Sequence, residues 1–117
     1  MNLYKKLDVY ARAYRLAIDL YKYANTLPKE ERYGLASQIK SAAVSIPLNI
    51  AEGYGKDDTA NEMKRFLKMA KGSARELEVL VDMCKDLDFM QAEAHSQYTN
   101  ELQIISKMLY KLTNSIN

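Results

Sequence analysis

The sequence predicts an all-α protein, an antiparallel up-down four-helix bundle, and three observations carry that expectation. Only 4 Gly and 2 Pro interrupt 117 residues, which disfavours a fold of many short strands and turns. Four segments repeat apolar residues at steps of three and four, the signature of helices that bury one face. The connections between them are short, so sequence neighbours run antiparallel. With 48% hydrophobic and 27% charged residues, the chain has a globular balance. Its length suits one domain over residues 1–117, large enough for a core without staples.

The first helix is predicted from Asp8 to Thr26. Val9, Ala13, Leu16, Leu20, Ala24 and Leu27 form its stripe, which Tyr10, Tyr14 and Tyr21 widen. Asp8 suits an N-cap or a first-turn acid, and Pro28 stops the helix by disfavouring α geometry at Leu27. The second helix is expected from Glu30 or Arg32 to Glu52, on Leu35, Ile39, Ala42, Ile46 and Ile50. Pro47 falls inside it. A proline removes one backbone bond and crowds the carbonyl four residues back, here that of Ala43, so a kink is expected, with Ser45 and Asn49 satisfying the freed groups. Gly53 and Gly55 supply the break.

The third helix is expected to start behind Asp58 or Thr59, with Glu62 completing a capping box, and to end near Leu87. Met63, Leu67, Ala70, Ala74, Leu77, Val81 and Cys84 make the strongest heptad of the chain. Gly72, Ser73 and Ala74 lie in its middle and predict a close crossing with another helix. The fourth helix is predicted from Gln91 to Ile116 on Tyr98, Leu102, Ile105, Leu109, Leu112 and Ile116. A helix of about 25 residues spans roughly 38 Å, so the molecule should be a rod.

Several function classes find no support. Cys84 is the single cysteine and His95 the single histidine, which leaves no metal quartet and no intramolecular disulfide. A lone thiol suits a reducing, cytoplasmic setting. Met1 to Val9 is polar and charged, unlike a signal peptide, and no run approaches the roughly 18 apolar residues of a membrane span. Gly53-Tyr54-Gly55 is too short for a phosphate-binding loop. Cys84 fits a small core hydrophobe. No cofactor is expected, and no pair has the nucleophile–base character of an active site.

Two groups of residues are candidates for function. Lys64, Lys68, Lys71 and Arg75 recur at steps of four, three and four, with Arg65 alongside, and so line one face of the third helix. Such a row fits a phosphate backbone; the competing reading is a solvated helix face, since the same line runs on into Glu78 and Asp82. Arg12, Arg15, Lys22, Lys40 and Lys56 are candidates to enlarge the patch. The second group is polar: Ser45, Asn49 and Glu52 around Pro47, with Ser73, Arg75 and Glu76 on the third helix. It suits a buried layer that fixes register, or a subunit contact. Nine Tyr without a Trp invite base stacking, but Tyr10, Tyr14, Tyr21, Tyr98 and Tyr110 sit beside the apolar stripes, where packing is the simpler role.

The run Glu31-Arg32-Tyr33-Gly34-Leu35, then Gln38-Ile39, then Ala42 through Gly55 (AAVSIPLNIAEGYG), is distinctive. With Phe66-Leu67, Ala70, Gly72-Ser73 and Glu76-Leu77-Glu78, it resembles the bacterial four-helix-bundle family of 23S rRNA intervening-sequence proteins, also labelled S23 ribosomal protein. The opening Tyr4-x-x-Leu7-x-Val9-Tyr10 is similar to that family's aromatic start, with Tyr10 where Trp is usual; Ser41 and Lys56 depart from positions often occupied by a basic residue and by Arg. The resemblance implies bundles that assemble into ring-shaped homopentamers. It also implies kinship with accessory proteins of diversity-generating retroelements, which bind nucleic acid and a reverse transcriptase. It brings no catalytic residues. The resulting expectation is a non-enzymatic homo-oligomer that contacts RNA or DNA through Lys40, Lys64, Arg65, Lys68, Lys71 and Arg75. The alternative is a protein-interaction scaffold without nucleic acid.

Overall fold

The computed structural model describes residues 3–55 and 57–117. Lys56 therefore lies outside the described residues. Four helices account for most of the chain: α1 (Asp8–Ala24), α2 (Leu35–Gly53), α3 (Ala60–Asp86) and α4 (Ala92–Asn114). Short 3-10 turns cover Leu3–Lys6 and Lys29–Glu31. Each helix packs on its two neighbours, α1 on α2, α2 on α3, α3 on α4 and α4 on α1. Among the described residues the backbones of α1 and α3, and of α2 and α4, do not approach closely. Cross-helix pairs give the directions. Arg12 meets Glu101 while Tyr23 meets Phe89, Ser45 meets Ser73 while Gly53 meets Met63, and Lys71 meets Tyr110 while Asp82 meets His95. Neighbours are antiparallel, as the short connections dictate. The molecule is a rod of 44 × 23 × 20 Å.

The predicted stripes are the core. Leu20, Ile39, Ile46, Ile50, Leu67, Leu77, Val81, Cys84, Leu102, Ile105 and Leu109 are all fully buried. At about 1.5–3 kcal/mol for each large apolar side chain removed from water, this stripe supplies the main driving force for the bundle. Pro47 is buried within α2. The expected side-chain rescue takes a different target from the one anticipated. Asn49 Nδ2 donates to the Ser45 carbonyl at 2.9 Å, not to that of Ala43, because the carbonyl one turn before Asn49 is that of Ser45.

Boundaries differ where turn chemistry competes with periodicity. The second helix starts at Leu35 rather than at Glu30 or Arg32: Gly34 leaves the helical region at φ −112°, ψ −112°. The carboxylate of Glu31 turns back to accept from the Leu35 amide at 3.4 Å, in place of an N-cap side chain. The first helix stops two residues early, where Thr26 Oγ1 donates to the Tyr23 carbonyl at 2.6 Å and satisfies a last-turn acceptor. Asp8 is a first-turn acid behind an N-cap, Leu7, that makes no side-chain cap bond. The Thr59 cap is as expected, its hydroxyl accepting from the Glu62 amide at 3.2 Å.

Two expectations about packing are corrected. Gly72 is exposed, and a Cβ there would meet nothing within 4 Å. It lies two positions from the heptad residues Ala70 and Ala74, so the α2–α3 crossing is made instead by its buried neighbours Ser73 and Ala74. The glycine that permits close approach is Gly53, where a Cβ would lie 3.3 Å from both the Met63 carbonyl oxygen and Phe66 Cβ. Tyr10 and Tyr98 pack half-buried against the core, whereas Tyr14, Tyr21 and Tyr110 are 54%, 43% and 55% exposed. Those three sit at the margin of their stripes, where helical spacing alone does not say whether a neighbouring helix covers the ring.

Candidate functional site

Lys64, Lys68, Lys71 and Arg75 run along one flank of α3, beside the buried face of Leu67, Ala70, Ala74 and Leu77. Lys68 and Arg75 are exposed, and Lys64 and Lys71 are half-buried. The eleven residue steps from Lys64 to Arg75, at 1.5 Å each, give this row a length of about 17 Å. None of its members is ion-paired among the described residues. Beyond Arg75 the line turns acidic at Glu78 and Asp82, and Asp82 Oδ1 lies 2.6 Å from His95 Nε2 on α4. The basic end is thus separated from its acidic continuation by position, and the acid nearest α4 already has a partner.

Lys71 reaches sideways: its ammonium sits 4.9 Å from the centroid of the Tyr110 ring on α4. The same groove is lined by Lys107 and Lys111, both exposed, and by Ile104 and Met108. Two lysines that the sequence reading left aside therefore join the row across the α3–α4 edge. Their spacing of four is a visible signal that they share a helix face. That the face adjoins Lys71 depends on the rotation of α4, which Leu102, Ile105 and Leu109 determine by turning inward.

The other predicted cations go elsewhere. Arg65 turns along its own helix, its guanidinium 4.5 Å from the Phe66 ring centroid and its Nη1 donating to the Met69 sulfur at 3.8 Å. Lys40 lies over the Tyr21 ring at 4.8 Å, on the α1–α2 edge. Because the α1–α2 and α3–α4 pairs share no helix in the ring of contacts, that edge is across the bundle from Lys71. Arg12 is held by both carboxylate oxygens of Glu101 at 2.8 and 3.0 Å, and Arg15 lines the same α1–α4 groove with Asp19.

The polar cluster assembles in part. Ser45 and Ser73 hydroxyls share a hydrogen bond of 2.8 Å across the α2–α3 seam, and Asn49 Nδ2 donates to Ser45 Oγ at 2.9 Å. With Asn49 donating to it, Ser45 is free to donate onward to Ser73. Pro47 packs beside this chain in the core, while Glu52 and Glu76 are exposed and take no part in it. Three hydroxyl and amide groups thus satisfy one another across the α2–α3 seam.

Among the described residues Cys84 and His95 do not pair as nucleophile and base. Burial pushes the Cys84 thiol above its ordinary range, against a smaller lowering by its bond to Tyr23, so it is a poor nucleophile at neutral pH. His95 is engaged with Asp82 rather than with that thiol. Burial likewise raises Tyr23, Tyr54 and Tyr98, keeping each phenol neutral. Among the described residues no three His, Cys, Asp or Glu side chains gather into a metal-binding group, and no helix is long and apolar enough to cross a membrane.

One further surface stands out. On the α1–α2 edge, Tyr21 of α1 and Val44 and Leu48 of α2 line one groove and expose 38–58% of their surface. Three large apolar groups on adjoining helix faces form a patch of the kind that marks an interaction surface.

A family model described as "23S rRNA-intervening sequence protein" matches residues 5–111, and this is not a known enzyme family. No curated protein matches the chain.

Proposed function

The chain belongs to the 23S rRNA-intervening sequence protein family, and from that premise we propose a non-enzymatic bundle that binds RNA or DNA on its α3–α4 edge and assembles with copies of itself. The observation that supports nucleic-acid binding is the row Lys64, Lys68, Lys71 and Arg75, free of carboxylate partners among the described residues and widened by Lys107 and Lys111. Cations that are not internally neutralised release counterions when they meet phosphates, which makes binding favourable and salt-dependent. Arg65 and Lys40 are secondary in this reading, the first because it stacks along α3 and the second because it faces the opposite edge.

Self-association is supported by the apolar α1–α2 patch and, by resemblance, has five-fold order. It places the patch between subunits and leaves the basic edge of each subunit outward. The competing reading, a protein-interaction scaffold without nucleic acid, rests on the same patch with a different protein seated on it.

Titration of labelled RNA and DNA over a salt series tests the proposal. Affinity should fall linearly in log–log form, by about 0.7 per phosphate contacted on a single strand and about 0.9 on a duplex. The paired substitution Lys68→Glu and Arg75→Glu should weaken binding and flatten the slope. A flat salt response, or unchanged affinity in that variant, rejects nucleic-acid binding and leaves the scaffold.

A further inference from the structure

We propose that the α3–α4 edge takes a single strand rather than a duplex, with Tyr110 as the platform on which an unpaired base stacks. This rests on the nucleic-acid reading above and names the ligand class of that site. Tyr110 is 55% exposed, and its ring lies under the Lys71 ammonium. The groove it occupies combines two chemistries. Lys71, Lys107 and Lys111 provide positive charge for phosphates, while Ile104, Met108 and the Tyr110 ring provide an apolar floor between them.

A duplex keeps its bases stacked inside and presents phosphates outward. It would engage the three ammonium groups and gain nothing from the apolar floor. A single strand offers both phosphates and the flat faces of its bases, so it satisfies the whole groove, and aromatic stacking serves any base because every base has a π face. Charge complementarity thus selects a nucleic acid, and the exposed ring among lysines selects the unpaired form. The Lys71 ammonium covers one face of the ring, so a base stacks on the other face or displaces the lysine toward a phosphate.

The test is fluorescence anisotropy of the full chain with a labelled polyuridine or polythymidine oligonucleotide and with a duplex of equal length, at several salt concentrations. The single strand is expected to bind at least about tenfold more tightly. Tyr110→Ala should weaken the single strand by roughly 5- to 150-fold, the range for one lost base–aromatic stack, and leave the duplex unchanged. Tyr110→Phe should restore the single-strand affinity, since it keeps the ring. Tyr33→Ala, at a ring 88% exposed before α2, should change neither. Lys107→Glu with Lys111→Glu should weaken both ligands. Equal binding of strand and duplex, or a Tyr110→Ala variant that binds the single strand normally, overturns the stacking proposal while salt-dependent binding keeps the basic edge. Loss of single-strand affinity in Tyr33→Ala as large as in Tyr110→Ala also overturns it. Absence of salt-dependent binding to either ligand rejects both readings together.

Discussion

Lys40 over Tyr21 and Lys71 over Tyr110 are the same contact made on opposite edges of the bundle, at 4.8 and 4.9 Å. In each, a lysine from one helix lies on a half-exposed tyrosine of the next, and cation–π attraction at such exposed sites contributes about 0.5–1 kcal/mol. Their surroundings differ. The first is set beside Val44 and Leu48, the second beside Lys107 and Lys111. One motif thus staples two helix pairs, and the neighbours decide what the edge is for. Aliphatic neighbours make a surface that is better covered by protein. Further cations make one that is better covered by phosphate.

The contrast can be broken from the inside. Both edges depend on one core, so Leu77→Ala, at a fully buried position between them, should cost about 2–5 kcal/mol and weaken both proposed activities together. Urea denaturation measures it; a loss below about 1 kcal/mol would mean the helices are held by something other than this stripe. The next largest effect should separate the edges. Leu48→Glu removes apolar burial worth about 1.5–3 kcal/mol from each subunit contact, weakening self-association by roughly 10- to 150-fold. Light scattering should then report smaller particles whose individual subunits still bind nucleic acid. Unchanged particle mass would place the subunit contact elsewhere. The smallest change is the sharpest probe. Lys40→Ala and Lys71→Ala should destabilise the fold equally, by about 0.5–1 kcal/mol each. Only Lys71→Ala should also lower the salt slope of nucleic-acid binding, by about one. Equal slopes for the two variants would erase the distinction between the edges.

Periodicity made the helices legible because burial enforces it. Leu67, Ala70, Ala74, Leu77, Val81 and Cys84 read as one face in the sequence and are one buried face in the molecule. It was less informative where short-range chemistry decides, as at Gly34 and Glu31, which delay α2. It was also silent on which neighbour a flanking residue meets. A helical wheel puts Lys40 and Lys71 at the rims of their stripes but does not say that one rim faces α1 and the other α4. For the same reason Gly72 was expected at a crossing although it faces water, and Lys107 and Lys111 passed unremarked until the rotation of α4 brought them beside Lys71. The Ser45–Ser73–Asn49 bonds lie between these cases. Their residue types were informative, but Glu52 and Glu76 carry the same polarity and point away.

The length of the basic row has a consequence for how a complex would be counted. About 17 Å of helix would match about five phosphates at the 3.4 Å axial rise of one duplex strand, and fewer along an extended single strand, so one subunit would hold a footprint of only a few nucleotides. A footprint that short gives each subunit a weak, rapidly reversible grip. Copies held together by their apolar edges would present the same footprint repeatedly to one strand, and each later contact would form at the high effective concentration created by the first. The stoichiometry of nucleotides per particle, more than the affinity of any one site, would then report how many copies stand side by side.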